Sequence, residues 1–190
     1  MLTAEQKIQD RRVLLDVAER LIYARGVHEV SMDEIRDVSG RSLKRIYANF
    51  PTKEALVVAM LRRRDQRWRS SLAQHVESVD GTARRVDAIF EWLRGWFSEP
   101  GFRGCAWINI HGELGSSSAA ILEEVRSHKA AFRKQVTTWA AAGGPAVAEG
   151  IFLLAEGAIV AAAINSDPGA ADTAREAAER LLAGSLPGAS

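Results

Sequence analysis

The sequence has a single cysteine, Cys105, among its 190 residues. One thiol forms no disulfide within the chain and supplies no metal cluster, so we expect packing or subunit association to stabilise the fold. The N-terminal stretch MLTAEQKIQDRR has no apolar core followed by a cleavage site. We also expect no apolar run of the roughly 18 residues that cross a membrane. These absences predict a cytoplasmic protein that is neither exported nor membrane-bound.

The patterns of common catalytic and metal sites are absent too. The sequence has no Gly-rich phosphate loop, no nucleophile elbow and no recognisable Ser/His/Asp spacing. His111 and Glu113 are two residues apart on an expected helix, so they face different directions and make a poor metal pair. We therefore expect no enzyme, no metal and no cofactor. The alternatives are a hydrolase that uses Cys105 with His111, and a redox switch at Cys105 in place of a buried inert thiol.

No stretch shows the sustained period-two alternation of β-branched residues that marks a strand. The content of Ala, Leu, Glu and Arg favours helices outside the turn clusters. We therefore expect an all-α fold of about nine helices without a sheet. The expected helices cover 5–25, 32–39, 43–49, 53–79, 82–99, 106–115, 119–142 after a cap at 116–118, 146–165 and 170–183.

The most informative segment is 31–55, SMDEIRDVSGRSLKRIYANFPTKEA, which predicts two short helices joined by a turn. Ser31 is a good N-cap, and Glu34 three positions later predicts a reciprocal capping box. An apolar stripe follows, and Gly40 then predicts a sharp turn because glycine accepts the left-handed backbone. This segment therefore begins with one capped helix and a tight connection.

The second helix of this segment carries exposed cations. Ser42 caps it, Ile46 and Phe50 are four residues apart and face inward, and Pro51 closes it. The residues that we expect to point outward are Lys44, Arg45 and Ala48. A basic second helix across a Gly-containing turn is the helix-turn-helix pattern, in which the second helix enters the major groove of DNA.

With these motifs, residues 13–61 resemble the DNA-binding domain of the TetR family of bacterial transcription regulators. The resemblance lies in LLDVAERLIYARGVHEVSMDEI, the turn Gly and IYANFPTKEAL. The chain departs from the family at Arg41 and at Leu43-Lys44-Arg45, where the family usually has a small apolar residue and a Lys-Gly-Thr run. The resemblance implies a three-helix DNA-binding domain at 1–52 and an effector-binding and dimerisation domain at 53–190, with helix 53–79 bridging the two.

The resemblance also implies roles for residues around the turn. Tyr47 stands where the family uses a tyrosine hydroxyl on a phosphate, and Lys53 stands at a helix start, where it attracts one. As alternatives, Tyr47 is a core aromatic, Asn49 a helix-end cap and Thr52 a helix cap. The candidate DNA-contacting residues are Arg41, Ser42, Lys44, Arg45, Tyr47, Asn49, Thr52 and Lys53.

Charge is distributed unevenly along the chain. Residues 1–69 hold 15 Lys and Arg against 10 Asp and Glu, whereas residues 70–190 hold 10 against 14. The formal net charge of +1 therefore combines an N-terminal excess of +5 with a C-terminal −4. Because DNA is a polyanion, this asymmetry favours DNA contact through the N-terminal part.

TetR-like proteins pair through their last two long helices, so the resemblance implies a homodimer through 146–165 and 170–183. The first of these helices carries only two charged residues, Glu149 and Glu156, so it is apolar nearly all round and we expect it to be buried. Burial within a monomeric core is the alternative. A two-fold dimer sets its recognition helices about 34–36 Å apart, which predicts a palindromic operator in double-stranded DNA.

A ligand cavity in the C-terminal bundle is also implied by the resemblance. Aromatic residues and few charges there favour a mainly apolar small-molecule effector. Aromatic residues at helical spacing more often belong to a plain core, which is the alternative. The candidate pocket residues are Phe90, Leu93, Trp96, Phe97, Trp107, Ile108, His111, Phe132, Trp139, Phe152 and Glu156.

These features together predict a sequence-specific, DNA-binding transcriptional regulator, a dimeric repressor that an effector releases from its operator. The alternative is a helical small-molecule-binding or adaptor protein with only nonspecific DNA affinity. The two differ in one observable, because an adaptor binds DNA in a salt-sensitive and sequence-indifferent way.

Overall fold

The computed structural model describes residues 3–185, and within that range the all-α prediction is confirmed, with no strand. The nine helices of this range are α1 Ala4–Arg25, α2 Met32–Ser39, α3 Leu43–Asn49, α4 Lys53–Val76, α5 Thr82–Phe97, α6 Ala106–Leu114, α7 Ala119–Trp139, α8 Pro145–Asn165 and α9 Ala170–Ala183.

Helix α4 ends earlier than the sequence predicted, at Val76 instead of residue 79. The N–H groups of Ser78 and Val79 bond to carbonyls three residues back instead of four, so the chain tightens into a turn before Gly81. Helix α7 likewise stops at Trp139 and is followed by a short 3-10 turn at Ala141–Gly143.

Local caps fix the ends of the first three helices. The Ser31 hydroxyl accepts the N–H of Glu34 at 3.1 Å, and the Ser42 hydroxyl accepts the N–H of Arg45 at 3.4 Å. The predicted reciprocal half of the first cap is replaced by an ion pair, because the Glu34 carboxylate accepts from Arg25 at 2.5 Å. Gly40 ends α2 with φ +64°, the left-handed conformation that the turn required.

The core of this part is apolar and shared by three helices. α1 packs against α2 and α3, and α2 packs against α3. Leu14 and Ala18 of α1, Ile35 of α2, and Ile46 and Phe50 at α3 are all buried. The predicted stripes of α1 and α3 therefore converge on one small core, to which α2 contributes Ile35. Val38, on the predicted stripe of α2, is instead 43% exposed.

The chain divides into two compact units. One comprises the residues up to Asp65 together with Ala106–Arg126, and the other comprises Gln66–Cys105 together with the chain from Ser127 onward. α4 and α7 each contribute to both units. These two units reflect packing, not function. The functional boundary predicted at residue 52, between the DNA-binding domain and the effector-binding domain, stays a prediction.

The second unit is built around a cluster of aromatic rings. The Trp68 ring makes edge contacts with the rings of Trp92, Trp96, His128 and Phe132, with centroids 5.1–5.5 Å apart. Edge-to-face geometry is favoured by the ring quadrupoles and adds to the gain from burying apolar surface. These aromatic side chains therefore form a packed core.

In the single chain, helix α8 is buried along one face only, so the alternative of burial within a monomeric core is wrong. Leu153, Val160 and Ile164 are 60%, 40% and 76% exposed, whereas the opposite face packs against α5 and α9. An apolar helix with one uncovered face is typical of a subunit that associates through that face.

α8 also has the length and composition of a membrane-spanning helix, contrary to the sequence-based expectation. Its 21 residues include a window with a mean hydropathy of 2.0, of which 39% is buried, and within residues 3–185 it is the one helix of this kind. The core helices of soluble proteins meet the same criterion. Length and apolar composition therefore say little here about a membrane.

Acidic side chains meet where α5 packs against α9. Burial raises the pKa of Asp87 on α5, and so do the negative charge and hydrogen bond of Glu179 on α9. Arg175 lowers that pKa by attraction, and Glu91 raises it. Since the folded-state pKa lies above the ordinary value, the contribution of Asp87 to stability is full at low pH and is lost as the pH rises through the folded-state pKa.

We predict that Asp87→Asn raises the melting temperature at pH 7, because the amide removes the buried negative charge beside Glu179. The gain should shrink as the pH falls through the raised folded-state pKa of Asp87, where the carboxylate takes up a proton, and should be gone below the ordinary value of 3.8. Thermal unfolding followed by circular dichroism between pH 3 and pH 7 measures this. Asp80→Asn is the control, because the Asp80 side chain is 94% exposed; an equal gain there would contradict the prediction.

Candidate functional site

The outer face of α3 presents three exposed residues at helical spacing. Lys44, Tyr47 and Ala48 are all exposed, and they lie three and four residues apart on one side of the helix. Ser42, also exposed, stands at the N-terminal end of this face. The Tyr47 side chain is 46% exposed, so the alternative that it is a core aromatic is wrong.

Arg45 does not point outward as the sequence predicted, because it turns toward α1. Its Nε and Nη2 atoms donate to the two carboxylate oxygens of Asp10 at 2.7 and 2.6 Å. Arg41 joins the same carboxylate, with its Nε 2.7 Å from Oδ1 in an ion pair whose N–H is not aligned for a hydrogen bond. The Asp10 side chain is 1% exposed. One buried carboxylate thus holds two of the predicted DNA-contacting arginines.

Sequence reasoning missed Asp10, although a signal was present. Asp10 stands four residues before Leu14 and eight before Ala18, so it lies on the apolar stripe of α1. A charged residue on a buried stripe needs an ionic partner, since an unpaired buried charge is strongly destabilising. The partner is 35 residues away in the sequence, in α3.

The C-terminal end of α3 is also held by α1. The Arg11 guanidinium carbon lies 4.5 Å from the centroid of the Phe50 ring, and its Nη1 reaches the Asn49 carbonyl at 3.5 Å. The Asn49 amide donates to the Arg45 carbonyl at 2.9 Å, as a helix-end cap does. Contact of Asn49 with DNA stays a prediction.

Thr52 and Lys53, at the start of α4, both have partners within the protein. The Thr52 hydroxyl accepts the N–H of Ala55 at 3.0 Å, which is a helix cap. Lys53 Nζ donates to the Val27 carbonyl at 2.5 Å, and burial lowers the pKa of Lys53, partly opposed by the charge of Glu113. A DNA role for either residue stays a prediction.

Glu113 of α6 binds the loop between α1 and α2. Its carboxylate accepts the N–H of Val27 at 3.0 Å and the N–H of His28 at 2.9 Å. Gly26 lies against it with φ +93° and ψ 163°, and a Cβ there would be 2.8 Å from the Glu113 carboxylate. For Glu113 the sequence suggested only a poor metal pair with His111, and no local pattern indicates its loop contact.

The predicted pocket residues fall in both compact units. Of those in the first unit, Trp107 is buried, whereas Ile108 and His111 are exposed on α6. In the second unit, Glu156 pairs with Lys129 at 2.6 Å. The remaining candidates are all buried in the second unit: Phe90, Leu93, Trp96, Phe97, Phe132, Trp139 and Phe152. Their role as a pocket stays a prediction.

Cys105 is buried, which favours the inert-thiol interpretation over a redox switch. Within residues 3–185, no group of three His, Cys, Asp or Glu side chains is arranged to hold a metal ion.

The chain resembles known proteins in sequence and in structure. The family described as bacterial regulatory proteins, tetR family, matches residues 14–60, which include α2 and α3. No protein of curated function matches the sequence.

Solved structures resemble the chain over nearly its whole length. SCO4454, a TetR-family transcriptional regulator from Streptomyces coelicolor, is 27% identical with a TM-score of 0.86, covering 94% of this chain and 96% of that one. A TetR-family regulator from Cytophaga hutchinsonii is 18% identical, with a TM-score of 0.81 and 99% of both chains covered. The reduced form of E. coli NemR is 20% identical, with a TM-score of 0.80 and coverages of 91% and 97%.

We predict that Gly26→Ala destabilises the protein more than Gly40→Ala. Both positions have positive φ, but only a Cβ at Gly26 meets the Glu113 carboxylate, whereas nothing lies within 4 Å of one at Gly40. At Gly40, which is left-handed helical, an alanine costs about 1–2 kcal/mol. At Gly26, with φ +93° and ψ 163°, backbone strain adds to the contact with Glu113. Urea unfolding of both variants gives the difference. A double-mutant cycle of Gly26→Ala with Glu113→Ala isolates the part due to the clash, because Glu113→Ala by itself removes two hydrogen bonds to the loop. Equal losses in the two variants would mean that Glu113 does not crowd Gly26.

Proposed function

Because the chain belongs to the TetR family of bacterial transcriptional regulators, we propose that it is a dimeric repressor that a small-molecule effector releases from a palindromic operator. Members of this family are non-enzymatic DNA-binding regulators, and this chain is a DNA-binding transcriptional regulator. They are soluble cytoplasmic proteins, and we infer the same location here.

The observation that carries the proposal is the exposed face of α3. Lys44 and Tyr47 point away from the core, while α3 is anchored to α1 by ion pairs at Arg45 and by Arg11 at its other end. A helix that is anchored on its inner side and carries a cation and a phenol on its outer side fits a DNA groove. We propose that Lys44 and Tyr47 make direct DNA contacts, with Ser42 beside them.

The dimer is supported by the uncovered apolar surface of α8 and α9. Leu153, Val160 and Ile164 of α8 and Leu181 of α9 are exposed large apolar side chains. Between the two helices runs a groove of about 410 Å³, in which small residues such as Gly157 predominate. Large side chains beside a groove of small ones suit close packing against a second copy of the same surface.

Release by an effector requires different affinities for the DNA-binding and released states. A coupling of about 1–3 kcal/mol is typical, and it acts equally on DNA and on effector. Among the pocket candidates, the carboxylate of Glu156 is paired with Lys129 and most of the others are buried apolar side chains, which supports a mainly apolar effector.

Selection of bound duplexes from a random DNA library tests the proposed function, at near-physiological salt and with excess competitor DNA. An enriched inverted repeat supports the dimeric regulator. Salt-sensitive binding without enrichment would instead favour the adaptor alternative, because phosphate contacts carry no sequence information.

We predict that Lys44→Ala weakens binding to the selected operator and lowers the slope of log K against log salt by about 0.9, the value for one lost phosphate contact. A fluorescence-anisotropy titration at several salt concentrations measures both. Lys134→Ala is the matched control, because Lys134 is an exposed cation on α7 in the second unit. An unchanged slope in Lys44→Ala would show that Lys44 does not contact a phosphate.

Leu153→Glu combined with Ile164→Glu should convert the dimer to a monomer, because it places charge on the apolar face of α8. Sedimentation velocity measures the change in mass. Ile8→Glu is the control, since Ile8 is an isoleucine that is 71% exposed on α1, against 76% for Ile164. A dimer that survives the double substitution would contradict the assignment of this face.

A further inference from the structure

We propose that Asp10 is a positioning residue that sets DNA specificity by holding Arg41 and Arg45 off the phosphate backbone. Direct DNA contact is then left to the outer face of α3. This inference rests on the proposed DNA-binding function and deepens it, because it names which cations of the basic segment are withheld from DNA.

The first step is the geometry of the ion pair. Arg45 donates one hydrogen bond to each carboxylate oxygen of Asp10, at 2.7 and 2.6 Å. Arg41 Nε lies 2.7 Å from one of these oxygens. A bidentate, charge-assisted pair of this kind is both strong and directional. Because the carboxylate is 1% exposed, it is poorly screened by salt, unlike a surface pair.

The second step is what the two arginines would do without Asp10. Their side chains stay 25% and 36% exposed beside the exposed face of α3, so they are within reach of a docked polyanion. Phosphate contacts supply essentially all of nonspecific DNA affinity and carry no sequence information. Two freed guanidinium groups would therefore strengthen binding to any duplex. On the operator this gain is offset because α3 loses the rotation that Asp10 fixes, so the ratio of specific to nonspecific affinity falls.

The third step is the rotation of α3. Arg45 lies on the flank of α3, beside the face formed by Lys44, Tyr47 and Ala48, and its pair with Asp10 fixes that flank against α1. Arg11 holds the other end of α3 through Phe50. We call the ion pairs of Asp10 with Arg41 and Arg45 the clamp. The clamp thus sets which residues face outward as well as which cations are free.

The test compares Asp10→Asn with Asp16→Asn on a 30-base-pair duplex of random sequence. Both substitutions remove one carboxylate from α1, but Asp16 is 56% exposed and pairs with Arg63, so it leaves the clamp intact. We expect Asp10→Asn to bind the random duplex more tightly and to steepen the slope of log K against log salt by about 0.9 for each arginine released. Asp16→Asn should keep the wild-type slope.

A second measurement addresses specificity. On the selected operator, Asp10→Asn should gain less affinity than on the random duplex, so the specificity ratio falls. Asp10→Asn combined with Arg41→Ala and Arg45→Ala should return the slope to the wild-type value, because the released cations are gone. A merely structural role for Asp10 predicts weaker binding to both duplexes with no steeper slope, and that result overturns the proposal.

Arg41→Ala keeps the inference testable if Asp10→Asn does not fold, since the bidentate pair of Arg45 with Asp10 remains. We expect the wild-type salt slope for Arg41→Ala; a fall of about 0.9 would show that Arg41 contacts phosphate and would overturn the clamp. Failure of the proposed function looks different, because the wild type then enriches no inverted repeat while the slope comparison on the random duplex still stands. Absence of binding by all variants overturns both.

Discussion

A buried carboxylate on α1 governs the arrangement of the DNA-binding part. Asp10 is sealed from water, and an ion in such a place is tolerated only with close partners. Arg41 and Arg45 meet that need, so the turn and α3 are tied to α1. The small apolar core around Ile46 stabilises α3 by burial but does not fix its rotation. The ion pair fixes that rotation, because its hydrogen bonds form at one rotation of α3 only.

A second polar junction ties α6 to the same compact unit. Glu113 accepts two backbone N–H groups of the loop before α2, and Lys53 donates to a carbonyl of that loop. The start of α4, the loop and α6 therefore share one set of hydrogen bonds. This explains why α6, far along the chain, belongs to the same compact unit as the N-terminal helices.

The sequence predicted what is locally determined. The caps at Ser31 and Ser42 and the turn at Gly40 depend on residues within a few positions, and each was found. The direction of Arg45 depended on Asp10, 35 residues earlier, which no local pattern ties to α3. The contact of Glu113 with the loop could not be predicted for the same reason, because its partners are more than 80 residues away in the sequence. Helical spacing likewise gave the apolar character of α8, but not which face the rest of the chain covers.

The contacts among Trp68, Trp92 and Trp96 have a spectroscopic consequence. Indole rings 5.1–5.9 Å apart couple their electronic transitions, so the near-ultraviolet circular dichroism of the protein reports the mutual angles of these rings. The first compact unit contains a single tryptophan, Trp107, outside this cluster. Loss of the coupled signal therefore tracks loosening of the second unit, while helix content measured at shorter wavelength follows the whole chain.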